Sequence, residues 1–301
     1  MRPADTARLL ALAAIWGASF LFMRIAAPPL GPAATAGLRV ALAAVALVVW
    51  LRWARVDLAW RAQWRFYLAV GLVTSAAPFA LWAFSALHLP ASYLVVLNAT
   101  APLFGALVAA LWLRERLAPR AALGLAAGIA GVATLVGFGP LRPSPMILWA
   151  IAAGALASLC YAVAAAYMKR RSAGVNAAAV ATGSQIGATL LLAPLVAALP
   201  PPALPTAGEW LAAAALGVLC TGAAYLLYFR LIADVGPTRA LTVTFLIPVF
   251  GMLWGALFLG EAITPLMVVG CALVLAGTAL VFRQPARASD SRQQPLASRA
   301  P

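Results

Sequence analysis

The segment 102–131 returns at a fixed distance of 146 residues, with no gap. Pro102, Phe104, Gly105, Glu115, Pro119, Gly124 and Gly131 reappear as Pro248, Phe250, Gly251, Glu261, Pro265, Gly270 and Gly277. Self-similarity at a constant period marks a duplicated structural unit, and a missed duplication misreads the whole fold. The alignment reaches further out. Gly71 and Leu81 fall over Gly217 and Leu227 at the same offset, and Trp16, Met23 and Arg24 lie 145 residues before Tyr161, Met168 and Lys169. The chain therefore reads as two copies, residues 1–140 and 141–283. The tail 284–301, rich in Arg, Ser, Pro and Gln, is predicted to be a disordered cytoplasmic tail.

Neither copy can cover itself with a water-compatible surface. Only 9% of residues are charged and 65% are hydrophobic, against about 25% and 45–50% in soluble domains. Apolar runs bounded by Pro, Gly or Arg clusters predict ten spans, each near the ~20 residues that cross a bilayer as helix. Their limits are 7–27, 34–53, 66–87, 91–113, 119–138, 146–168, 176–199, 208–229, 238–260 and 264–282. The first run follows a short basic start and resembles a signal peptide. Without a clear small-residue cleavage site it reads as an uncleaved span.

The formal charge of +14 would suit nucleic acid, but the basic residues sit in short clusters between apolar runs, on no common face. They read as topology signals, and no nucleic-acid partner is expected. With the N-terminus inside, inner segments hold Arg52, Arg55, Arg61 and Arg65, then Arg114, Arg116 and Arg120, then Lys169, Arg170 and Arg171; the outer loops hold Arg142. By the positive-inside rule both termini are cytoplasmic, in a multi-pass inner-membrane protein. Trp50, Trp53, Trp60 and Trp64 fit an interfacial belt, with a short amphipathic turn along the membrane surface.

Five spans per copy is an odd number, so the second copy enters the membrane the opposite way. The charges agree. Arg114, Arg116 and Arg120 map onto Gly260, Ala262 and Leu266, while Phe84 and Tyr93 map onto Arg230 and Arg239. Basic charge has followed the cytoplasm and not the repeat, as inverted-topology repeats require. The expected fold class is thus an all-α membrane protein of ten transmembrane helices, arranged as two inverted five-helix repeats.

Trp16-Gly17, Arg39 opening the second span, and the Arg114-Glu115 and Gly260-Glu261 closings of spans four and nine resemble the EamA-type transporters of the drug/metabolite transporter superfamily. The resemblance covers roughly residues 7–282 and departs from the family pattern at Arg114, where a glycine is usual. It implies a central cavity lined mainly by spans one, three, four, six, eight and nine, and export of small metabolites as the common activity.

Candidate site residues follow from the duplication. Pro102 and Pro248 lie mid-span and each frees the carbonyl four residues back, at Asn98 and Thr244, which are equivalent positions. A polar side chain beside a freed carbonyl near the midplane suits a substrate site; plain helix bending is the alternative. Thr242 and Thr221 are companions. Trp16, Trp82, Tyr161, Tyr225 and Tyr228 lie on spans that would face the cavity and supply an aromatic lining, or simply pack. Arg24 and Arg39 either snorkel to the outer surface or, pointing inward, favour a carboxylate or phosphate. Gln185 maps onto Arg39.

Glu115 and Glu261 stand at helix ends just before a proline, where a structural role near the following helix's positive end is expected. His88 is placed in an outer loop. Cys160, Cys220 and Cys271 sit inside apolar runs without metal-ligand spacing, so neither metal nor cofactor is expected. The glycines of spans five and ten suit close helix contact, joining either the two copies or two subunits of a homodimer.

A secondary transporter of small amino-acid-like or amphipathic metabolites, working by alternating access, fits these features. A membrane-embedded enzyme acting on lipid-linked groups would need paired acids, metal ligands or a nucleophile with its base, and the spans carry none. A transport-dead sensor or scaffold is the third reading, against which the scarcity of soluble loops argues.

Overall fold

The computed structural model describes residues 1–138, 144–172 and 174–282. The tail and Arg142 lie outside the described residues. Every regular element among the described residues is helical. In chain order these are α1 (Pro3–Trp53), α2 (Trp60–Gly71), α3 (Ala77–His88), α4 (Ala91–Asn98), α5 (Ala101–Trp112), α6 (Pro119–Phe138) and α7 (Pro145–Arg171). They continue as α8 (Ala177–Ala198), α9 (Ala207–Ala214), α10 (Ala224–Val235), α11 (Pro237–Ala240), α12 (Val243–Leu259) and α13 (Pro265–Phe282). Two π-helical turns, Leu72–Ala76 and Ala215–Ala223, join α2 to α3 and α9 to α10.

Among the described residues, eight helical stretches are long and apolar enough to cross a membrane, and α12 is a shorter apolar helix. One of the eight is α1, whose 51 residues would extend about 76 Å at 1.5 Å per residue, more than twice the ~30 Å hydrocarbon thickness. It is not one straight rod. Gly31 has φ 73° and ψ 164°, a left-handed-side conformation that glycine adopts without a Cβ penalty. Pro28, Pro29 and Pro32 surround it. The expected loop between the first two spans is thus a single-residue break, covered by the Thr35 hydroxyl, which donates to the Gly31 carbonyl.

Trp60 and Trp64 belong to the first turns of α2, and Trp60 stacks on Tyr67 at 5.8 Å. His88, placed in a loop from sequence, is the last residue of α3 and lies edge-on to Phe84.

The two copies are joined through glycine. A Cβ on Gly124 would strike the Gly277 carbonyl, and one on Gly131 would come within 2.7 Å of the Gly270 carbonyl. The pairings 124–277 and 131–270 make α6 and α13 antiparallel. Because 124 and 270 are equivalent in the repeat, as are 131 and 277, one contact is made twice. A second such pair follows. Gly71 lies against Ser184 and Ala188 of α8, and Gly217 against Arg39 and Leu42 of α1. Of the two uses foreseen for the glycine faces, the chain employs them to join its copies. The core between the copies holds Trp82, Tyr93, Met23 and Leu94, all nearly inaccessible.

Gly277→Val is expected to destabilise the protein by about 1–3 kcal/mol, the usual cost of overpacking a close contact. A thermal unfolding midpoint in detergent measures it. Gly137→Ala, where a Cβ meets nothing within 4 Å, should leave that midpoint unchanged or slightly higher. Equal midpoints for Gly277→Val and wild type would contradict the helix contact.

Candidate functional site: a central cavity between the two copies

Both copies contribute to one cavity of about 600 Å³. Trp16, Phe20 and Met23 of α1, Phe79 and Trp82 of α3, and Ile247 of α12 form apolar walls. Arg39, Thr74, Asn98, Tyr161, Thr221, Tyr225 and Thr244 add polar groups. Glu115, Arg116, Leu117 and Phe282 also line it and are exposed, so the cavity reaches the surface at the arginine-rich ends of α5 and α13.

The π-helical turns shape its flanks. A π-turn inserts one extra residue into a helix and commonly marks a functional position. Here the Thr221 hydroxyl donates to the carbonyl of Leu216, five residues back, at 2.9 Å. Thr74 sits in the first turn, and Cys220 and Thr221 in the second. Thr74 and Ser75 are 146 residues from Cys220 and Thr221. The doubled polar pair was readable in the alignment, although π-geometry leaves no sequence signature of its own.

Those turns take part in two polar contacts between the copies. Arg39, 7% exposed, donates from Nε to the Thr221 hydroxyl at 2.9 Å, and its guanidinium lies 3.7 Å above the Phe79 ring centre. A desolvated cation–π contact of this kind contributes about 2 kcal/mol. Gln185 donates from Nε2 to Ser75 at 2.8 Å. The two bonds are one contact made twice, since 39 maps onto 185 and 75 onto 221. Arg39 therefore points inward and does not snorkel. Arg24 does neither, donating to the Ala86 carbonyl at 2.6 Å.

Of the predicted site residues, Asn98, Thr244, Trp16, Trp82, Tyr161, Tyr225 and Arg39 all line the cavity, together with Thr221. Tyr228 and Thr242 do not. Tyr228 packs on Trp16, with ring centres 5.2 Å apart, in the apolar cluster around Leu231 and Val243. Thr242 is exposed at the α11–α12 junction, where its hydroxyl donates to the Arg239 carbonyl. Both lie on the expected spans, but α10 and α12 turn these residues away from the centre.

The proline argument needs correction in the first copy. The helix stops at Asn98 and resumes at Ala101, so Pro102 lies in the first turn of α5, where a missing N–H costs nothing. The carbonyls released by the break are capped by hydroxyls: Thr100 and Ser158 donate to Leu97, and Thr278 to Ala99. Pro248 does lie inside α12, and the Thr244 hydroxyl donates to the Leu241 carbonyl. The Asn98 side chain, half-buried on the cavity wall, makes no hydrogen bond to any described residue.

The two repeated glutamates part company. Glu261 reaches across to the other copy: Oε1 accepts from the Ala91 N–H at 2.7 Å, and Oε2 from the Ser92 N–H at 3.0 Å and the Ser92 hydroxyl at 2.7 Å. It caps the N-terminus of α4, not that of the helix following it, as sequence led us to expect. Glu115 pairs with Lys169 at 2.9 Å, both largely exposed. Glycine 105, equivalent to Gly251, shows the same asymmetry. A Cβ on Gly105 would meet nothing within 4 Å, whereas one on Gly251 would strike Val95.

Leucine in place of Asn98 or Thr244 would fill the cavity beside its polar groups. Either variant is expected to insert and fold normally, as seen by gel filtration in detergent, yet to lose at least ~90% of flux, a ten-fold effect equivalent to ~1.4 kcal/mol. Undiminished flux in both would remove these residues from the site.

The EamA-like transporter family matches residues 7–137 and again 148–283. A protein of Streptantibioticus cattleyicolor (strain ATCC 35852), described as a "probable terminal-alkyne amino-acid exporter", is 28% identical over 202 residues, 65% of this chain. The match spans 66% of that relative, just under two thirds of its length. A solved crystal structure superposes with a TM-score of 0.65 at 22% identity, covering 93% of this chain and 96% of the other, a likeness of fold alone. With a duplicated cavity-forming helical fold and two matches that span most of its length, the chain belongs to the EamA-like transporter family, within the drug/metabolite transporter superfamily, and is a multi-pass membrane protein of a family of transporters and not of enzymes.

Proposed function

We propose that this protein is a secondary transporter that exports small amino-acid-like or amphipathic metabolites by alternating access. The observation that carries the reading is the single cavity built from both copies, apolar and aromatic with a few polar anchors, which is the usual make-up of a metabolite site. The Streptantibioticus relative's description as an amino-acid exporter points the same way.

Ten crossings as inverted repeats are part of this reading. The break at Gly31 divides α1 into two crossings; α2–α3, α4–α5, α9–α10 and α11–α12 count as one each, and α6, α7, α8 and α13 complete the ten. The antiparallel α6–α13 pair, whose equivalent glycines exchange places, supports inversion. Arginine placement supports cytoplasmic termini in an inner membrane. A homodimer would use surfaces other than the glycine faces, which are engaged within the chain.

On this orientation the cavity opens to the cytoplasm, past Glu115 and Arg116, and the Glu261 contact with α4 closes the outer side. Equivalent closure on the inner side brings Glu115 to the N-terminus of α11, since Ala91 and Ser92 map onto 237 and 238. Pro237 offers no N–H, so that inner contact has one donor fewer. The difference favours the inward-open state at rest. Asn98, Thr244, Trp16, Trp82, Tyr161, Tyr225 and Arg39 would contact substrate.

Counterflow in proteoliposomes loaded with a mixed metabolite pool tests the function. Saturable exchange is the expected result, while a covalently altered product would indicate an enzyme. The closure is tested with Glu261→Gln carrying a single cysteine at Met23, the native cysteines replaced by alanine. A membrane-impermeant thiol reagent added outside intact cells should label this variant several-fold faster than its Glu261 parent. Equal labelling rates would rule out Glu261 as the outer closure.

A further inference from the structure

We propose that Arg39 is an anion anchor in the central cavity and that the transported molecule presents a monocarboxylate to it. The proposal rests on the transporter reading above and names its substrate class.

Arg39 is buried on the cavity wall without a counter-ion. Its side chain takes part in none of the ion pairs among the described residues, which join Arg8 and Arg230 to aspartates and Lys169 to Glu115. The only hydrogen bond it makes to a described residue is from Nε to Thr221. Both terminal nitrogens are left free to donate, in the planar fork that matches a carboxylate. Thr221 and Phe79 hold that fork from one edge and one face. A guanidinium locked in this way is pre-organised for a bidentate partner.

The duplication supplies an internal control. At the equivalent position Gln185, fully buried, makes the equivalent bond across the copies to Ser75. A neutral amide is therefore sufficient for the structural task of bridging the copies. The positive charge at 39 is surplus to that task, and a buried unpaired charge is costly to retain. A ligand that supplies the missing anion offsets the cost each time it binds.

The number of charges selects the anion. Arg39 is the buried cation of this wall, and the next along the cavity is Arg116, exposed at the mouth. One charge neutralises a carboxylate; a phosphate dianion would be left half-compensated. The aromatic surface of Trp16, Trp82 and Tyr161 then accepts the remainder of an amphipathic molecule.

The test is direct binding to the purified full-length protein, read by quenching of tryptophan fluorescence, since Trp16 and Trp82 line the cavity. The probes are phenylalanine, hexanoate, their carboxamides, and inorganic phosphate. The carboxylates should bind at least ~10-fold tighter than the amides, as expected for a charge-assisted fork against a neutral group. Arg39→Gln should abolish the difference while eluting as the folded protein, because Gln185 already shows the fold accepting glutamine at this position. Arg39→Lys keeps the charge, loses the fork, and should retain part of the preference.

Equal binding of amides and carboxylates, a preference that survives Arg39→Gln, or no binding by any carboxylate would overturn the proposal. Phosphate binding tighter than hexanoate would overturn it in favour of a phosphorylated ligand. The counterflow assay keeps the two readings apart. Flux without a carboxylate preference leaves the transporter standing and removes Arg39, whereas an Arg39-dependent preference without flux does the reverse.

Discussion

A chain this apolar has no water with which to satisfy its backbone inside the membrane, so every helix break must be closed by the protein itself. The chain closes them with hydroxyls. Thr35 covers Gly31, Thr100 and Ser158 cover Leu97, Thr278 covers Ala99, and Thr221 covers Leu216. Each bond removes a cost of order a few kcal/mol for an unpaired carbonyl in apolar surroundings. Unbroken helices would pack along their length and leave no central space. Ala99, Thr74 and Thr221, which stand at three of these interruptions, line the cavity.

Glycine supplies the opposing force. At 124, 131, 270 and 277 two backbones approach closely enough that any side chain would collide with a carbonyl. That contact holds the copies along one seam, while the halves around α4–α5 and α11–α12 differ from each other. Gly251 is packed against Val95 where its equivalent Gly105 is open, and Glu261 is engaged where Glu115 is solvated. On the proposed alternating access, two equivalent units held in different arrangements would supply the two states of the carrier.

Polar side chains between the copies obey the same symmetry until charge enters. Arg39–Thr221 and Gln185–Ser75 are equivalent bridges. One is neutral. The other carries a cation into a wall of Phe, Trp and Tyr with no acid beside it. In such surroundings a charge is a marker of function by default, and the neutral twin shows what the structure alone requires.

Much of this was legible in the residues. The 146-residue period, the apolar runs and the migration of arginine predicted a duplicated helical membrane fold, because patterning and net burial depend on composition along the chain and little on detail. Asn98 and Thr244 were within reach through equivalence of positions, and Trp16, Trp82, Tyr161 and Tyr225 through the spans that the family resemblance places at the cavity, while Arg39 was left between snorkelling and pointing inward. Other features depended on where helices turn and cross. Sequence placed Tyr228 and Thr242 at the site, but the rotation of α10 and α12 directs them elsewhere. It assigned the break in the first copy to Pro102, whereas hydroxyl caps allow it at Ala99–Thr100. It treated Glu115 and Glu261 alike, although one closes a gap between the copies and the other faces solvent. Repetition along the chain determined what the two halves share. Only the packing of one against the other decided how they differ, since two identical patterns cannot state which side of the protein is open.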